Sequence, residues 1–335
     1  MERVLRGEVF VPKDSSLPRP PRRMLGRVSR PDLNPVALHP GVIAFHQPPG
    51  GWFVSNAGLV AGRDAALQVD TFATEPLNRR LETAIDAYLA PGTPRTVALT
   101  HAHGDHAHGA GRLAAAGATI LATPPAAGEV LSGPHTYDML FSCDWGAIDP
   151  PADISPVTEP KTLDLGGTSV AVVPVPGPAH THGDLVVWHE ESGTLFTGDL
   201  LFLGVTPLAI SGSVAGWLEA LSWLETFGAT TYVPGHGPVT AATENPVADV
   251  REYFEWLQEA VAGSADYAAI EEAARARWPE WGAGERHGVN ARIAYAQAQA
   301  HGTELDFPAG VKDLLTSAAA HGERMTETGL IRLDI

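Results

Sequence analysis

Residues 100–109 read Thr100-His101-Ala102-His103-Gly104-Asp105-His106-Ala107-His108-Gly109, and the rest of the chain is interpreted around them. His101 and His103 are two apart, so on extended backbone their imidazoles leave the same face. Gly104 lets the chain turn, which brings Asp105 and His106 to a second position nearby. Three imidazoles and a carboxylate at this spacing suit a zinc ion, which takes nitrogen and oxygen in a tetrahedral shell. The preceding apolar run, residues 96–100, predicts a buried strand, so the cluster sits on a loop at a strand end.

Four local ligands do not fill two metal shells, and three distant residues follow other strand-like runs. His180 lies in Pro176-Gly177-Pro178-Ala179-His180-Thr181-His182-Gly183, Asp199 in Thr197-Gly198-Asp199, and His236 in Pro234-Gly235-His236-Gly237. Each has glycine close by, which allows the backbone to bend toward an ion. Loops converging at one sheet edge would bring the seven residues into a dinuclear site.

This set resembles the metallo-β-lactamase fold superfamily, with its H-x-H-x-D-H, G-H-T, G-D and G-H-G motifs, over residues 40–240. The resemblance implies an α/β fold, an αββα sandwich with the site at one edge. It also implies that His101, His103 and His180 hold one metal, that Asp105, His106 and His236 hold the other, and that Asp199 bridges them. Asp70, at the end of a predicted strand, matches an acidic position that orients a ligand. Two departures stand out. His108 replaces a common glycine and is read as a supporting residue. His182 competes with His180, but His180-Thr181-x-Gly183 keeps the family spacing; His182 is assigned to the surroundings of the site or its substrate side. The segment 45–52 resembles the family's overhanging flap, making Phe45, His46 and Trp52 candidate substrate contacts. A further stretch, 133–145, containing His135, Tyr137 and Trp145, reads as an inserted wall.

Around the motifs, residues 41–46 and 52–56 read as a hairpin tipped by Gln47-Pro48-Pro49-Gly50-Gly51. Thr74 can cap a helix carrying Leu77, Leu81, Ile85, Tyr88 and Leu89 on one face, and a second amphipathic helix is expected over 214–227. After about residue 245 the strands stop. Val247, Val250, Phe254, Leu257 and Val261 repeat at intervals of three and four, the spacing of an amphipathic helix, with Tyr253 and Trp256 as packing residues. The expected organisation is a basic arm at 1–38, a catalytic domain at 39–244 and a helical C-terminal appendage at 245–335. The appendage would cover the core domain or form a homodimer interface.

Composition narrows the function. One cysteine among 335 residues excludes an intrachain disulfide and a cysteine-based metal cluster. The formal charge of −17 divides into an arm at 1–30, with eight Arg or Lys against three Asp or Glu, and a strongly acidic remainder. That acidity opposes a nucleic-acid partner. No apolar run is long enough to span a bilayer, and the arm lacks the apolar core of a signal peptide. A cytoplasmic protein with no membrane partner is expected, and the scarcity of Lys points to a GC-rich bacterial genome. The leading expectation is a hydrolase holding two zinc ions, with a metal-bridging hydroxide attacking a small-molecule thioester, lactone, other ester or lactam. Asp105 would accept a hydrogen bond from the nucleophile, and iron or manganese are alternative metals. A persulfide dioxygenase-like iron enzyme is the runner-up, followed by an RNA-processing nuclease. The resemblance also implies the broader hydrolase branches, because classical lactamases carry cysteine where this chain has Asp199.

Overall fold

The computed structural model describes residues 33–299 and 307–335. Most of the basic arm, 1–32, lies outside the described residues. The end of that arm is a strand, so the folded domain begins before residue 39: β1 (Asn34–His39) pairs antiparallel with β2 (Val42–His46).

The chain continues through β3 (Ala57–Ala61), β4 (Ala66–Val69), α1 (Glu75–Asp86) and β5 (Arg95–Ala98). Beyond it come α2 (Gly104–Ala107), α3 (Ala110–Ala115), β6 (Thr119–Ala122), α4 (Pro124–Leu131), β7 (Phe141–Ser142) and β8 (Ser155–Pro156). The second half runs β9 (Lys161–Asp164), β10 (Ser169–Pro174), β11 (Leu185–His189), β12 (Thr194–Phe202), α5 (Val214–Glu225), β13 (Thr231–His236) and β14 (Thr240–Ala241). One sheet has the order β1-β2-β3-β4-β5-β6-β8 and the other β14-β13-β12-β11-β10-β9.

Strand alternation explains the layering. On β2, Val42 and Ala44 pack between the sheets with Val172, Val187 and Phe196, whereas Ile43 and Phe45 face outward onto Leu77, Leu81 and Ile85 of α1. The outer face of the second sheet, including Val186 and Leu195, is covered by Trp217, Leu221 and Leu224 of α5. Helices thus lie outside two facing sheets, the αββα arrangement. Thr74 caps α1 through Leu77 N, and Ser213 caps α5 through Gly216 N. Helix α1 ends at Asp86, so Tyr88 falls beyond its buried face and is 45% exposed.

The expected strand at 52–56 does not form. Phe53 has φ of +56°, outside the extended region, and β3 starts only at Ala57. Side chains replace a ladder there. Asn56 Oδ1 accepts from Gln47 N (3.1 Å), Gln47 Nε2 donates to Ser55 O (3.0 Å), and Asn56 Nδ2 donates to the carbonyls of Pro234 and Gly237.

The C-terminal part holds α6 (Pro246–Gly263), α7 (Tyr267–Arg277), α8 (Arg286–Ala298), α9 (Phe307–Ala320) and a short strand, β15 (Ile331–Arg332), that pairs parallel with β7. Strand pairing therefore resumes after residue 245, and the extension is stitched to the wall segment. Tyr253, Phe254 and Leu257 of α6 join the cluster around α5. His287 links α8 to α6, with its Nδ1 3.1 Å from Tyr253 Oη. Burial, aided by Arg275, pushes His287 down to about 3 from 6.5. A neutral native imidazole that protonates when unfolded stabilises the fold above about pH 6.5, and this contribution is lost as pH falls toward 3. The wild type should lose about 1.4 kcal/mol per pH unit relative to His287→Gln across that window, read from urea midpoints. Parallel pH profiles for the two proteins would contradict it.

Candidate metal centre

The parallel strands β4 and β5 end at one sheet edge, delivering Asp70 and residues 100–106. The parallel pair β12 and β13 delivers Asp199 and His236 to the same place. The register breaks on either side of Gly198, whose φ is +52°, and this bulge aims Asp199 into the site. An added Cβ at Gly198 would lie 2.5 Å from Thr100 Oγ1, so glycine also permits the two sheets to meet here. His180 comes from the loop between β10 and β11. Thr181 N and Oγ1 hold that loop by donating to Asp184 at 2.8 and 2.6 Å. Burial pushes the Asp184 carboxyl up to about 6.

Two groups of convergent ligand atoms result: His101, His103, His180 and Asp199, and Asp105, His106 and His236. Asp199 reaches both. Its Oδ1 is 3.0 Å from His106 Nε2, and its Oδ2 is 3.3 Å from His180 Nε2 and 3.4 Å from His236 Nε2. Asp105 Oδ2 lies 3.2 Å from His236 Nε2.

The hydrogen bonds fix which ring nitrogens are left bare. His106 Nδ1 donates to Asp70 Oδ2 at 2.8 Å, and His236 Nδ1 to the carbonyls of Gly50 and Val54 at 3.1 Å each. The Thr100 hydroxyl donates to Asp70, so it accepts from His101 Nδ1 at 3.1 Å. His103 Nε2 donates to Ser211 Oγ, leaving Nδ1 inward, 2.9 Å from His180 Nε2. The remaining nitrogens point lone pairs into one small volume. His101 Nε2, His106 Nε2 and Asp199 Oδ1 are buried without a hydrogen-bond partner. Orphaned, convergent N and O donors are what a metal site requires and what an ordinary buried cluster avoids. The residues fit metal ions.

Electrostatics divide the histidines into two sets, those already neutral and those from which an ion must displace a proton. Burial holds His101 and His180 well below the usual histidine range, hence neutral and able to ligate. Burial opposes the charged forms of His106 and His236 as well, but Asp199 and Asp105 overcome it, raising His236 to about 9 and His106 well above its ordinary value. Burial likewise raises Asp70, against the pull of His106 and Thr100.

Asp70 therefore orients His106 directly and His101 through Thr100. Its other oxygen, Oδ1, accepts from Thr100 N at 2.6 Å, so neither oxygen has room for a donor. Asp70→Asn introduces one, and metal affinity measured by chelator competition should fall about 10- to 100-fold. Unchanged affinity would show that Asp70 only caps the turn.

Other candidates fall outside the ligand groups. His108 donates to Ala73 O at 2.9 Å and lies over Gly104, where an added Cβ would meet its ring at 2.3 Å. It buttresses the turn. His182 is exposed, because the tight Thr181–Asp184 hydrogen bonds turn it away from the site. Phe45 is fully buried under α1, and neither it nor His46 reaches the pocket beside the ligands. Trp52 does line that pocket, a cleft walled by Phe53, Tyr137, Leu140, Phe141, Phe202, Leu208, Ile210, Arg286 and Leu314. The wall segment contributes Tyr137, whose hydroxyl is pushed up to about 12 chiefly by burial. Arg286 and Leu314 from the extension, and Leu208 and Ile210 after β12, had no sequence signal, since nothing local marks a side chain that meets the site only through tertiary packing. Asp184 was findable, standing three residues after the Thr181 it holds.

A buried centre of histidine and carboxylate donors at the edge of an αββα sandwich defines a candidate metallo-hydrolase. The Metallo-beta-lactamase superfamily matches residues 50–236, more than half of the chain, and the protein belongs to that family, which places it among metallo-hydrolases. No curated protein matches the sequence. Similar solved structures include a metallo-beta-lactamase family protein from Thermus thermophilus, at 19% identity and a TM-score of 0.59, over 79% of this chain and 95% of that one. A metallo-beta-lactamase from Pontibacter korlensis has 18% identity and a TM-score of 0.55, over 67% and 99%. DIM-1 metallo-beta-lactamase has 19% identity and a TM-score of 0.53, over 67% and 98%. At these identities the likeness is one of fold. Among the described residues no helix is long and apolar enough to cross a membrane.

Proposed function

We propose that the protein is a dinuclear zinc hydrolase of a small-molecule carbonyl substrate, an ester, lactone, thioester or lactam. The observation that carries this reading is Asp199, whose two oxygens reach both ligand groups. Nitrogen and oxygen donors without a thiol suit zinc, and the same set would accept iron or manganese. When bound, a zinc pair supplies hydroxide near neutral pH, by lowering the pKa of water from 15.7 to about 7, and polarises the carbonyl.

The chain's own residues do the rest. Asp105 lies on the pocket wall, where its carboxylate accepts a hydrogen bond from the attacking water and orients it. Asp70 and the carbonyls of Gly50 and Val54 keep the histidines in register, so little reorganisation accompanies reaction. Phe53, Leu140, Phe141 and Phe202 exclude bulk water and bind the apolar part of the substrate. The pocket's largely apolar lining suits a small molecule better than a polynucleotide. A panel of thioesters, lactones and β-lactams tests the reading with zinc-reconstituted protein. Zinc-dependent turnover of at least one class, abolished by chelation, is expected. Zinc-loaded protein inert toward all of these and toward simple esters would overturn it.

A further inference from the structure

Three of the candidate ligand histidines are oriented by groups of the first half of the chain: His101 by Thr100, His106 by Asp70, and His236 by the carbonyls of Gly50 and Val54. His103 is held differently. Its Nε2 donates to Ser211 Oγ at 3.0 Å, on a loop 108 residues further along. That loop, residues 206–213, leads from β12 into α5 and contains neither helix nor strand. Side chains of α8 take up its backbone groups instead. Asn290, fully buried, accepts from Ala209 N at 3.0 Å and donates to Pro207 O at 2.8 Å. Two turns on, along the same helix face, Gln297 accepts from Val214 N at 2.9 Å and donates to Gly212 O at 2.8 Å. On its other side the loop lies against the His180 segment. Ser213 N donates to Ala179 O at 2.9 Å, and a Cβ added at Gly212 would stand 2.0 Å from that carbonyl oxygen. The loop is thus wedged between the C-terminal extension and two members of one ligand group, His103 and His180.

We infer that Ser211 is a positioning residue for the ion held by His101, His103, His180 and Asp199, and that α8, through Asn290 and Gln297, sets where Ser211 stands. The inference rests on the metal-binding part of the proposed function and not on hydrolysis. A neutral imidazole offers one nitrogen to an ion while the other carries the proton. By accepting from Nε2, the Ser211 hydroxyl keeps the proton there and leaves the Nδ1 lone pair facing inward. Without the hydroxyl the proton is free to move to Nδ1, where His180 Nε2 stands 2.9 Å away as its acceptor. Two ligand nitrogens would then be spent on each other. His106 and His236 have their own partners, so the effect belongs to one ion. Each amide of α8 satisfies one N–H and one C=O that no ladder reaches, and this fixes the loop in place. Leu208 and Ile210, on the same loop, line the pocket, so the extension sets a ligand and part of the substrate wall together.

The test is zinc competition against a chelator in protein labelled with ¹⁵N-histidine, where imidazole nitrogen shifts report each ligand group separately. Ser211→Ala should weaken the ion at His103 about 10- to 100-fold and change the ion at His106 and His236 far less. Ser211→Thr, which keeps the hydroxyl, should restore most of the affinity. Asn290→Leu and Gln297→Leu should each reproduce part of the loss at the same ion, although neither touches a ligand. Gln297 is exposed, so its variant keeps the test available if the buried Asn290→Leu does not fold. Equal weakening of both ions in Ser211→Ala, no weakening at all, or wild-type affinities in the folded α8 variants would overturn the inference. If the wild type takes up no zinc, the metal-centre reading falls and the tautomer in metal-free protein decides. A proton that leaves His103 Nε2 in Ser211→Ala supports the positioning role, and an unchanged tautomer overturns it.

Discussion

Replacing Asp199 with Asn is expected to strip the centre of metal and reduce kcat/KM by about 10³-fold or more, a barrier increase of about 4 kcal/mol. The substitution keeps shape and volume, so the effect isolates charge and donor character. Asp199 reaches His106 with one oxygen and His180 and His236 with the other, so a neutral amide removes an anion from both ligand groups. Losing a residue that only orients a ligand costs about 10- to 100-fold, and a bridging carboxylate should exceed that range. The Asn side chain also offers an NH₂ that can donate to the bare ring nitrogens, occupying lone pairs that would otherwise hold an ion. Metal content and turnover are measured on the same preparation, with near-ultraviolet circular dichroism to report packing. A variant that keeps two metals and most of its activity would remove Asp199 from the bridging role.

The second large effect comes from a residue that holds nothing. An alanine Cβ at Gly235 would stand 1.9 Å from Asp199 Oδ1 and 2.8 Å from Gly198 C, with no open side to move into. Overpacking of this kind costs about 1–3 kcal/mol, and Asp199 is the part most able to move. Gly235→Ala should therefore lose metal and activity nearly as severely as Asp199→Asn, with a lowered Tm, although every ligand remains. Gly128→Ala supplies the contrast. Gly128 sits in α4 with nothing within 4 Å of an added Cβ, and the change should leave metal content intact and stabilise the fold by about 0.5–1 kcal/mol. Full metal occupancy in Gly235→Ala would show that the close approach is not what positions Asp199.

Much of the centre was legible because its ligands are ordered by short-range rules. His101 and His103 alternate on extended backbone, Gly104 turns the chain, and Asp105 and His106 open α2. The distant members of the two groups were picked out by the glycines near them, and the structure gives two of those glycines a physical task at Asp199. The layered fold followed from strand and helix periodicity, because Val42 and Ile43 must face different neighbours. Misreadings arose where side chains replaced local rules. Trp52 to Asn56 has strand-like composition, yet Gln47 and Asn56 satisfy its backbone and Phe53 takes a left-handed conformation. Phe45 shares its segment with Trp52, but strand alternation turns it under α1. Arg286, Leu314 and β15 reach the site or its wall from far along the chain, and contacts of that kind have no local signature.

The central claim is that the seven residues hold two metal ions as a hydrolytic centre. The most direct measurement is the metal content of protein purified without added metal, read together with oxygen uptake. Two zinc ions per chain and no oxygen consumption are predicted. One iron per chain with substrate-dependent oxygen consumption would contradict it.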